Sequence, residues 1–227
     1  MFEQEISTAR KDLSRYFQEW KTFSSSFLIW LIEEYGIPLD EESKNHIHYI
    51  WVLARLLDDL VDEYKVPVDF IIWELHENSS IDEVRIFLNE LSDAQKFEFI
   101  KMGKLVLHIT WIHKQGTKKH CVVRQLEAQV LCKVYTSVLI SKISQEELLQ
   151  LQRYLKHLFI TSYFHGDLSH FSRDNILSYA DIPLYCIILV KNLANFILKN
   201  PKPISALTFS IKVAVLSYLH GKKYAVK

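Results

Sequence analysis

The chain has 227 residues, of which 49% are hydrophobic and 24% are charged, a composition typical of a globular protein rather than of a disordered or fibrous one. Its five glycines and five prolines are too few for an all-β protein with many tight turns. The formal net charge of zero argues against a protein that binds nucleic acid by general attraction to phosphates, so no nucleic-acid partner is expected.

The predicted elements are all helices. Apolar residues recur at helical spacing along nearly the whole chain, and strict alternation is hard to find. Connections are short and no linker is rich in Pro, Gly or Ser, so we predict an all-α, single-domain helical bundle over residues 1–227. In chain order, the predicted helices are 3–20, 24–35, 41–64, 69–77, 81–91, 93–113, 119–141, 144–164, 172–198 and 203–220.

Several helices carry start signals. Ser92-Asp93 is typical of a helix cap, and Ser144 followed by Glu147 predicts a capping box. The most apolar run, 184–198, is interrupted by a lysine and two asparagines and is shorter than the roughly 18 apolar residues of a spanning helix. We therefore expect a buried core helix there rather than a membrane span.

Cysteine usage and the start of the chain bear on localisation. Cys121, Cys132 and Cys186 are odd in number and form no CxxC pair, which indicates reduced, buried thiols in a cytoplasmic protein. Residues 1–10 are polar and charged, so no signal peptide is predicted.

The third predicted helix carries most of the functional information. At 100° per residue, Arg55, Asp58, Asp59 and Asp62 fall in one gap of the apolar pattern, together with Trp51. Crowded carboxylates repel one another unless a cation relieves them, and hard oxygen ligands that form less than a full cage suit Mg²⁺. The apolar stripe consists of Ile50, Leu53, Ala54, Leu57, Leu60 and Val61.

A simpler interpretation of the same residues is a surface helix. An Arg55–Asp59 pair at i,i+4 with solvated aspartates beside it would need no metal. Against it, no lysine or glutamine lies between Asn45 and Asp62, so a wall that lines a polar cavity fits better than open surface.

Residues 24–64 resemble the start of squalene and phytoene synthases, which belong to the class I isoprenoid synthases. Those enzymes carry a Ser-Phe pair, matched here by Ser26-Phe27, and then a helix reading Y-A-F-x-R-x-x-D-D-x-x-D-E. Arg55, Asp58, Asp59, Asp62 and Glu63 match that helix at the same offsets. A fainter resemblance covers residues 160–198. There Gly166, Asp167-Leu168 and then Leu177-Ser178-Tyr179-Ala180 are similar to a family stretch in which a Gly and an Asp-Leu precede a Leu-x-x-Tyr-Cys/Ala pattern.

The resemblance implies an all-α bundle around a central cavity, with a prenyl diphosphate bound through Mg²⁺ at its mouth. Asp58, Asp59 and Asp62 would hold the metal, and Arg55 and Ser26 would contact the diphosphate. The allylic carbocation left by the departing diphosphate would lie in an apolar, aromatic cavity. The residues expected to line the substrate site are Ser26, Phe27, Trp51 and Tyr179.

The second metal motif of squalene and phytoene synthases, D-x-x-x-D beyond the Tyr-containing helix, is missing, because no acidic residue follows Asp181. Terpene cyclases carry Asn/Asp-Asp-x-x-Ser-x-x-x-Glu, and residues 174–181 imitate it with the last acid one position early. We predict that Asp174, Ser178 and Asp181 hold metal across the cavity from Asp58. The alternative is an ordinary helix start at Asp174 and a helix interruption at Asp181, before a proline.

After Asp181 the chain has no acidic residue but seven lysines. A solvated basic face would explain this asymmetry, as would attraction to a diphosphate or to an anionic membrane surface. The sequence leaves peripheral membrane contact and a homodimer open.

Two classes of function follow. The first is a magnesium-dependent enzyme, similar to a terpene synthase or prenyltransferase, that cyclises a prenyl diphosphate or condenses two of them with release of diphosphate. The second is a catalytically inactive protein of the same fold that acts in interaction or assembly, for which the missing second aspartate motif is the main support. A helical metal-dependent phosphohydrolase is disfavoured because no His-Asp pair is present.

Overall fold

The computed structural model describes the chain except for residues 1, 21–23, 35, 115–119, 170–181, 201 and 225–227. Within the described residues the protein is helical and contains no β-strand, which confirms the predicted all-α class. The α-helices are α1 Glu3–Trp20, α2 Ser24–Glu34, α3 Glu41–Asp62, α4 Val68–Glu74, α5 Asp82–Glu90, α6 Asp93–Lys114, α7 His120–Thr136, α8 Gln145–Ser169, α9 Ile182–Leu198 and α10 Pro203–Tyr224.

Most predicted helix bounds fall within a few residues of these, but the prediction of one helix over 119–141 was wrong at its C-terminal end. Helix α7 ends at Thr136 and a 3₁₀ turn, Ser137–Leu139, follows. The Ser137 hydroxyl donates to the Val134 carbonyl at 2.7 Å, a local bond that competes with continued α-helix. Ser141 then has a φ of 70°, which ends any helical continuation. The predicted helix 172–198 is described only from Ile182 onward.

The predicted helix starts at Ser92 and Ser144 are confirmed. Glu147 Oε2 accepts from Ser144 N at 2.9 Å, and Ser144 Oγ accepts from Glu147 N at 3.3 Å, which is a reciprocal capping box. At the start of α6, Gln95 Oε1 accepts from Ser92 N at 3.0 Å. These bonds satisfy amide groups that have no partner inside the helix.

The described chain divides into two compact units, and the predicted single domain stays a prediction. Unit 1 comprises Met1–His108 and Lys133–Leu151, and unit 2 comprises Ile109–Cys132 and Gln152–Lys227. In unit 1, helices α1, α2 and α5 and the 3₁₀ turn all pack against α3. The Phe87 ring anchors this core, stacked on Tyr49 and in edge contact with Phe99.

In unit 2, α8 is the helix on which α9 and α10 pack. The Phe196 ring of α9 and the Phe209 ring of α10 both meet the Tyr154 ring of α8, at centroid distances of 4.7 and 4.9 Å. The outer side of α9 is exposed, so the prediction of a buried core helix over 184–198 was wrong for that side: Leu198 is 82% exposed. The predicted burial of the thiols is confirmed for Cys132 but was wrong for Cys186, which is exposed on α9. No helix of the described chain is long and apolar enough to cross a bilayer.

Candidate functional site

Helix α3 starts at a strong cap. The Asp40 carboxylate accepts from Ser43 N at 2.7 Å, and Lys142 Nζ lies 3.2 Å from Asp40 Oδ2 and 3.1 Å from Glu42 Oε2. The hydrogen bonds from Ser43, helped by Lys142, lower the pKa of Asp40 to about 2. The carboxylate therefore stays ionised and fixes the direction in which α3 enters the core of unit 1.

The core-facing side of α3 differs from the predicted stripe. Ile50, Leu53, Leu57 and Leu60 are buried as predicted, but Ala54 is exposed and Val61 is only half-buried. Several elements enclose α3 from different sides, so a single stripe at 100° per residue does not describe which positions are buried. The residues of α3 that are buried are Ser43, His46, Ile47, Ile50, Leu53, Leu56, Leu57, Asp59 and Leu60.

The three aspartates of α3 occupy different environments. Asp59 is buried, with 7% of its side chain exposed, and Arg55 Nη2 lies 2.5 Å from its Oδ1. Arg55 Nη1 also reaches Asp58 Oδ2 at 3.5 Å, where 43% of the Asp58 side chain is exposed. Asp62, one turn beyond Asp58, is half-buried. The Arg55–Asp59 pair of the simpler interpretation is thus present, but its carboxylate is not solvated.

Burial is the main influence on the pKa of the Asp59 carboxyl. Loss of hydration raises its pKa above the ordinary value, the Arg55 charge opposes that rise, and the negative charges of Asp58 and Glu63 add to it. Burial therefore favours the protonated form of Asp59, and the contact with Arg55 opposes this.

The donor set of α3 fits magnesium in part. Asp58 and Asp62 offer carboxylate oxygens one turn apart, and Mg²⁺ is commonly held by one or two carboxylates with water and phosphate oxygens as its other ligands. Asp59 is buried and pairs with Arg55 through Oδ1, and its predicted role as a metal ligand stays a prediction. In the described part of the chain, no three His, Cys, Asp or Glu side chains converge on a point where an ion could sit. The magnesium site stays a prediction.

The predicted substrate-binding residues of unit 1 are partly described. Trp51 is half-buried, and its ring lies 6.3 Å from the ring of Tyr135, which is buried. Ser26 is exposed on α2, and Phe27 lies on the same helix but its side chain is outside the described set. Tyr135 was missed by sequence reasoning, because its spacing on α7 resembles that of any core residue.

The serine of α2 that contacts α3 is Ser25, the residue before the predicted Ser26. Ser25 is buried, and its Oγ forms a hydrogen bond with Nδ1 of His48 on α3. His46, two residues earlier, points instead towards the Phe87 ring and Glu90. The two histidines therefore make different contacts, because residues two positions apart on an α-helix point about 200° away from each other.

The predicted second metal motif lies outside the described residues. This applies to Asp174, Ser178 and Asp181, and also to Tyr179. Their assignment to metal and substrate stays a prediction.

Comparison with known proteins gave no relative. No protein-family model, curated protein or solved structure matched the chain. The resemblance to squalene and phytoene synthases therefore rests on the residues of 24–64 and 160–198 themselves, and the isoprenoid synthase fold stays a prediction.

Proposed function

We propose that this protein is a magnesium-dependent enzyme that acts on a prenyl diphosphate, by cyclisation or by condensation with release of diphosphate. The observation that carries the proposal is the pair Asp58 and Asp62, which lie one turn apart on α3 beside the Arg55 guanidinium. Two hard anionic ligands next to a fixed cation form a site suited to a metal-bound diphosphate.

Each residue of the cluster has a distinct role in this proposal. Asp58 and Asp62 hold magnesium, which when bound neutralises charge on the departing diphosphate. Arg55 binds a diphosphate oxygen through the guanidinium that now contacts Asp58 and Asp59. Asp59 orients Arg55 from its buried position, and it is a positioning residue rather than a metal ligand.

The aromatic pair beside the cluster supports the proposal. Trp51 lies one turn before Arg55 on α3, and its ring and that of Tyr135 are 6.3 Å apart. Aromatic faces stabilise a nearby cation through the ring quadrupole, so these rings are suited to shield an allylic carbocation.

One observation favours the alternative, a catalytically inactive protein of this fold that acts in interaction or assembly. Arg55 already contacts two of the three aspartates, and this pairing relieves part of their repulsion with no metal. A cluster kept for stability alone would need nothing more.

A thermal shift experiment separates the two. Magnesium together with inorganic diphosphate should raise the melting temperature because both bind the native state, and magnesium alone should do much less. The matched control is Asp58→Asn/Asp62→Asn, which should melt at the same temperature with and without the two ligands. Equal curves for the wild type with and without saturating magnesium and diphosphate would favour the inactive protein.

A further inference from the structure

Helices α9 and α10 of unit 2 carry rows of exposed apolar side chains. Members of a row are three, four or eight positions apart, so each row covers an arc of about 80° of its helix at 100° per residue. We call the two rows together the outer apolar face. It consists of Ile187, Val190 and Leu198 on α9 and Ile204, Leu207, Ile211 and Val215 on α10.

The two rows lie on the sides of α9 and α10 that face away from α8. Both helices turn their opposite sides to α8, where Phe196 and Phe209 meet the Tyr154 ring and Ser210 Oγ lies 2.9 Å from His157 Nε2. Since both inner sides pack on one helix, both outer rows point away from it.

The most exposed part of the outer apolar face is the tip of the α9–α10 hairpin. Leu198 and Ile204, at 82% and 81% exposure, are the most exposed large hydrophobic residues in the described chain. Lys199 and Lys202 lie between them in the sequence and are also exposed. The tip thus combines two projecting apolar side chains with two cations.

The tip is held in place by a half-buried asparagine. Asn200 Nδ2 donates to the Tyr154 hydroxyl at 2.7 Å, and Asn200 Oδ1 accepts from Lys202 N at 2.9 Å. These bonds tie the connection between α9 and α10 to the core of unit 2. An ordered tip loses little conformational entropy when it binds a surface.

The positive charge of α9 and α10 indicates an anionic binding partner. Residues 182–227 contain no Asp or Glu, and Lys191, Lys199 and Lys202 are exposed near the outer apolar face. Anionic phospholipid headgroups attract such lysines while the acyl region accepts apolar side chains, as in helices that lie on a bilayer. A second copy docked through the same face would bring lysines together with no acid of α9 or α10 to pair with them.

We propose that the outer apolar face docks on the surface of an anionic phospholipid bilayer, with the α9–α10 tip inserted among the headgroups. The helices lie along the surface, in keeping with the lack of any helix in the described chain that is long and apolar enough to cross a bilayer. This proposal does not depend on the chemistry proposed for α3.

Flotation with lipid vesicles tests the proposal on the full chain. Vesicles of phosphatidylcholine that contain roughly one-third phosphatidylserine should carry the protein upward, and vesicles of phosphatidylcholine alone should carry much less. Raising the salt concentration to about 0.5 M should weaken binding, since exposed charges are screened. Failure to float with the anionic vesicles at low salt would overturn the proposal.

Two variants and a control locate the binding face. Lys199→Gln/Lys202→Gln should weaken partition on the order of 25-fold, about fivefold for each lysine, and Leu198→Glu/Ile204→Glu should weaken it by at least roughly tenfold. The control is Phe97→Glu/Lys101→Gln on α6. The Phe97 ring is 68% exposed, and Lys101 Nζ lies 5.8 Å from its centroid. This control variant should float like the wild type.

Circular dichroism melting should show that every variant remains folded, because all of the changed side chains are exposed. Tip variants that float like the wild type would overturn the proposal. So would sedimentation equilibrium in which the wild type self-associates and Leu198→Glu/Ile204→Glu does not, because a second copy would then cover the face.

Discussion

Arg55 and Asp59 form an ion pair across one turn of α3, with Nη2 2.5 Å from Oδ1 and only 7% of the Asp59 side chain exposed. Burial raises the pKa of Asp59, and Arg55 is the cation that opposes this rise. The pair therefore favours the ionised form of a buried carboxylate on the helix that also carries Asp58 and Asp62. Removing either partner should affect both stability and the proposed site.

Arg55→Met should lower the free energy of unfolding by about 2 kcal/mol, because it leaves the buried Asp59 charge without its partner. The loss is smaller than for a fully buried pair, since solvent partly screens the half-exposed Arg55 charge. Urea denaturation at pH 7.5 measures the loss. The matched control is Arg85→Met, which breaks a pair with Asp82 in which both side chains are 46% exposed, and it should cost less than about 0.5 kcal/mol. Equal losses in the two variants would contradict the importance of burial at Asp59.

His157 is a buried histidine that the structure keeps neutral. Asn192 Nδ2 lies 2.8 Å from its Nδ1, and Ser210 Oγ lies 2.9 Å from its Nε2. Because the Ser210 hydroxyl also reaches the Ala206 carbonyl at 2.9 Å, a consistent assignment has Asn192 donating to Nδ1 and Nε2 donating to Ser210. Burial lowers the pKa of His157 from 6.5 to about 4.

The lowered pKa predicts a stability change at mildly acidic pH. The native state binds fewer protons than the unfolded chain, so the free energy of unfolding should fall by about 3 kcal/mol as the pH drops from 6.5 to about 4. Urea denaturation across this range should show the fall in the wild type and a smaller one in His157→Gln. The control is His108→Gln, at an exposed histidine of α6, and its free energy of unfolding should fall as much as that of the wild type. Parallel curves for the wild type and His157→Gln would contradict the assignment.

Gly103 on α6 is buried against Leu75. A Cβ atom at residue 103 would lie 2.6 Å from Leu75 Cδ2, and Leu75 is itself 1% exposed and has little room to move. Gly103→Ala should therefore destabilise unit 1 by about 1–3 kcal/mol, despite the roughly 1 kcal/mol that alanine gains over glycine in a helix. Thermal unfolding measures this, and Leu75→Val in the Gly103→Ala background should restore part of the loss. A Gly103→Ala variant more stable than the wild type would contradict this prediction, because the Leu75 side chain would then have moved aside at little cost.

The helices were predictable because their signals are local. Asp40, Ser92 and Ser144 cap helices through side chains within three residues, and the apolar period specifies the elements between caps. The end of α7 was missed because Thr136 and Ser137 satisfy the helical period although their hydroxyls favour a turn.

The site was predictable only in its position on α3. The spacing of Arg55, Asp58 and Asp62 places them on one side of the helix, but it does not reveal that Asp59 is buried, because several other elements enclose α3. Tyr135 faces Trp51 from a distant part of the chain, and a single sequence carries no signal for such a contact. Apolar composition alone likewise cannot tell that the outer side of α9 faces solvent.

The magnesium-dependent prenyl diphosphate chemistry is tested most directly by the release of diphosphate from farnesyl or geranylgeranyl diphosphate. The wild type should release it with magnesium present and not with a chelator, because the metal neutralises the departing group. Asp58→Asn and Asp62→Asn should each abolish release with urea stability unchanged, and Asp69→Asn, at an exposed acid of α4, should leave it intact. Wild-type rates in Asp58→Asn or Asp62→Asn, or no release by the wild type, would contradict the account.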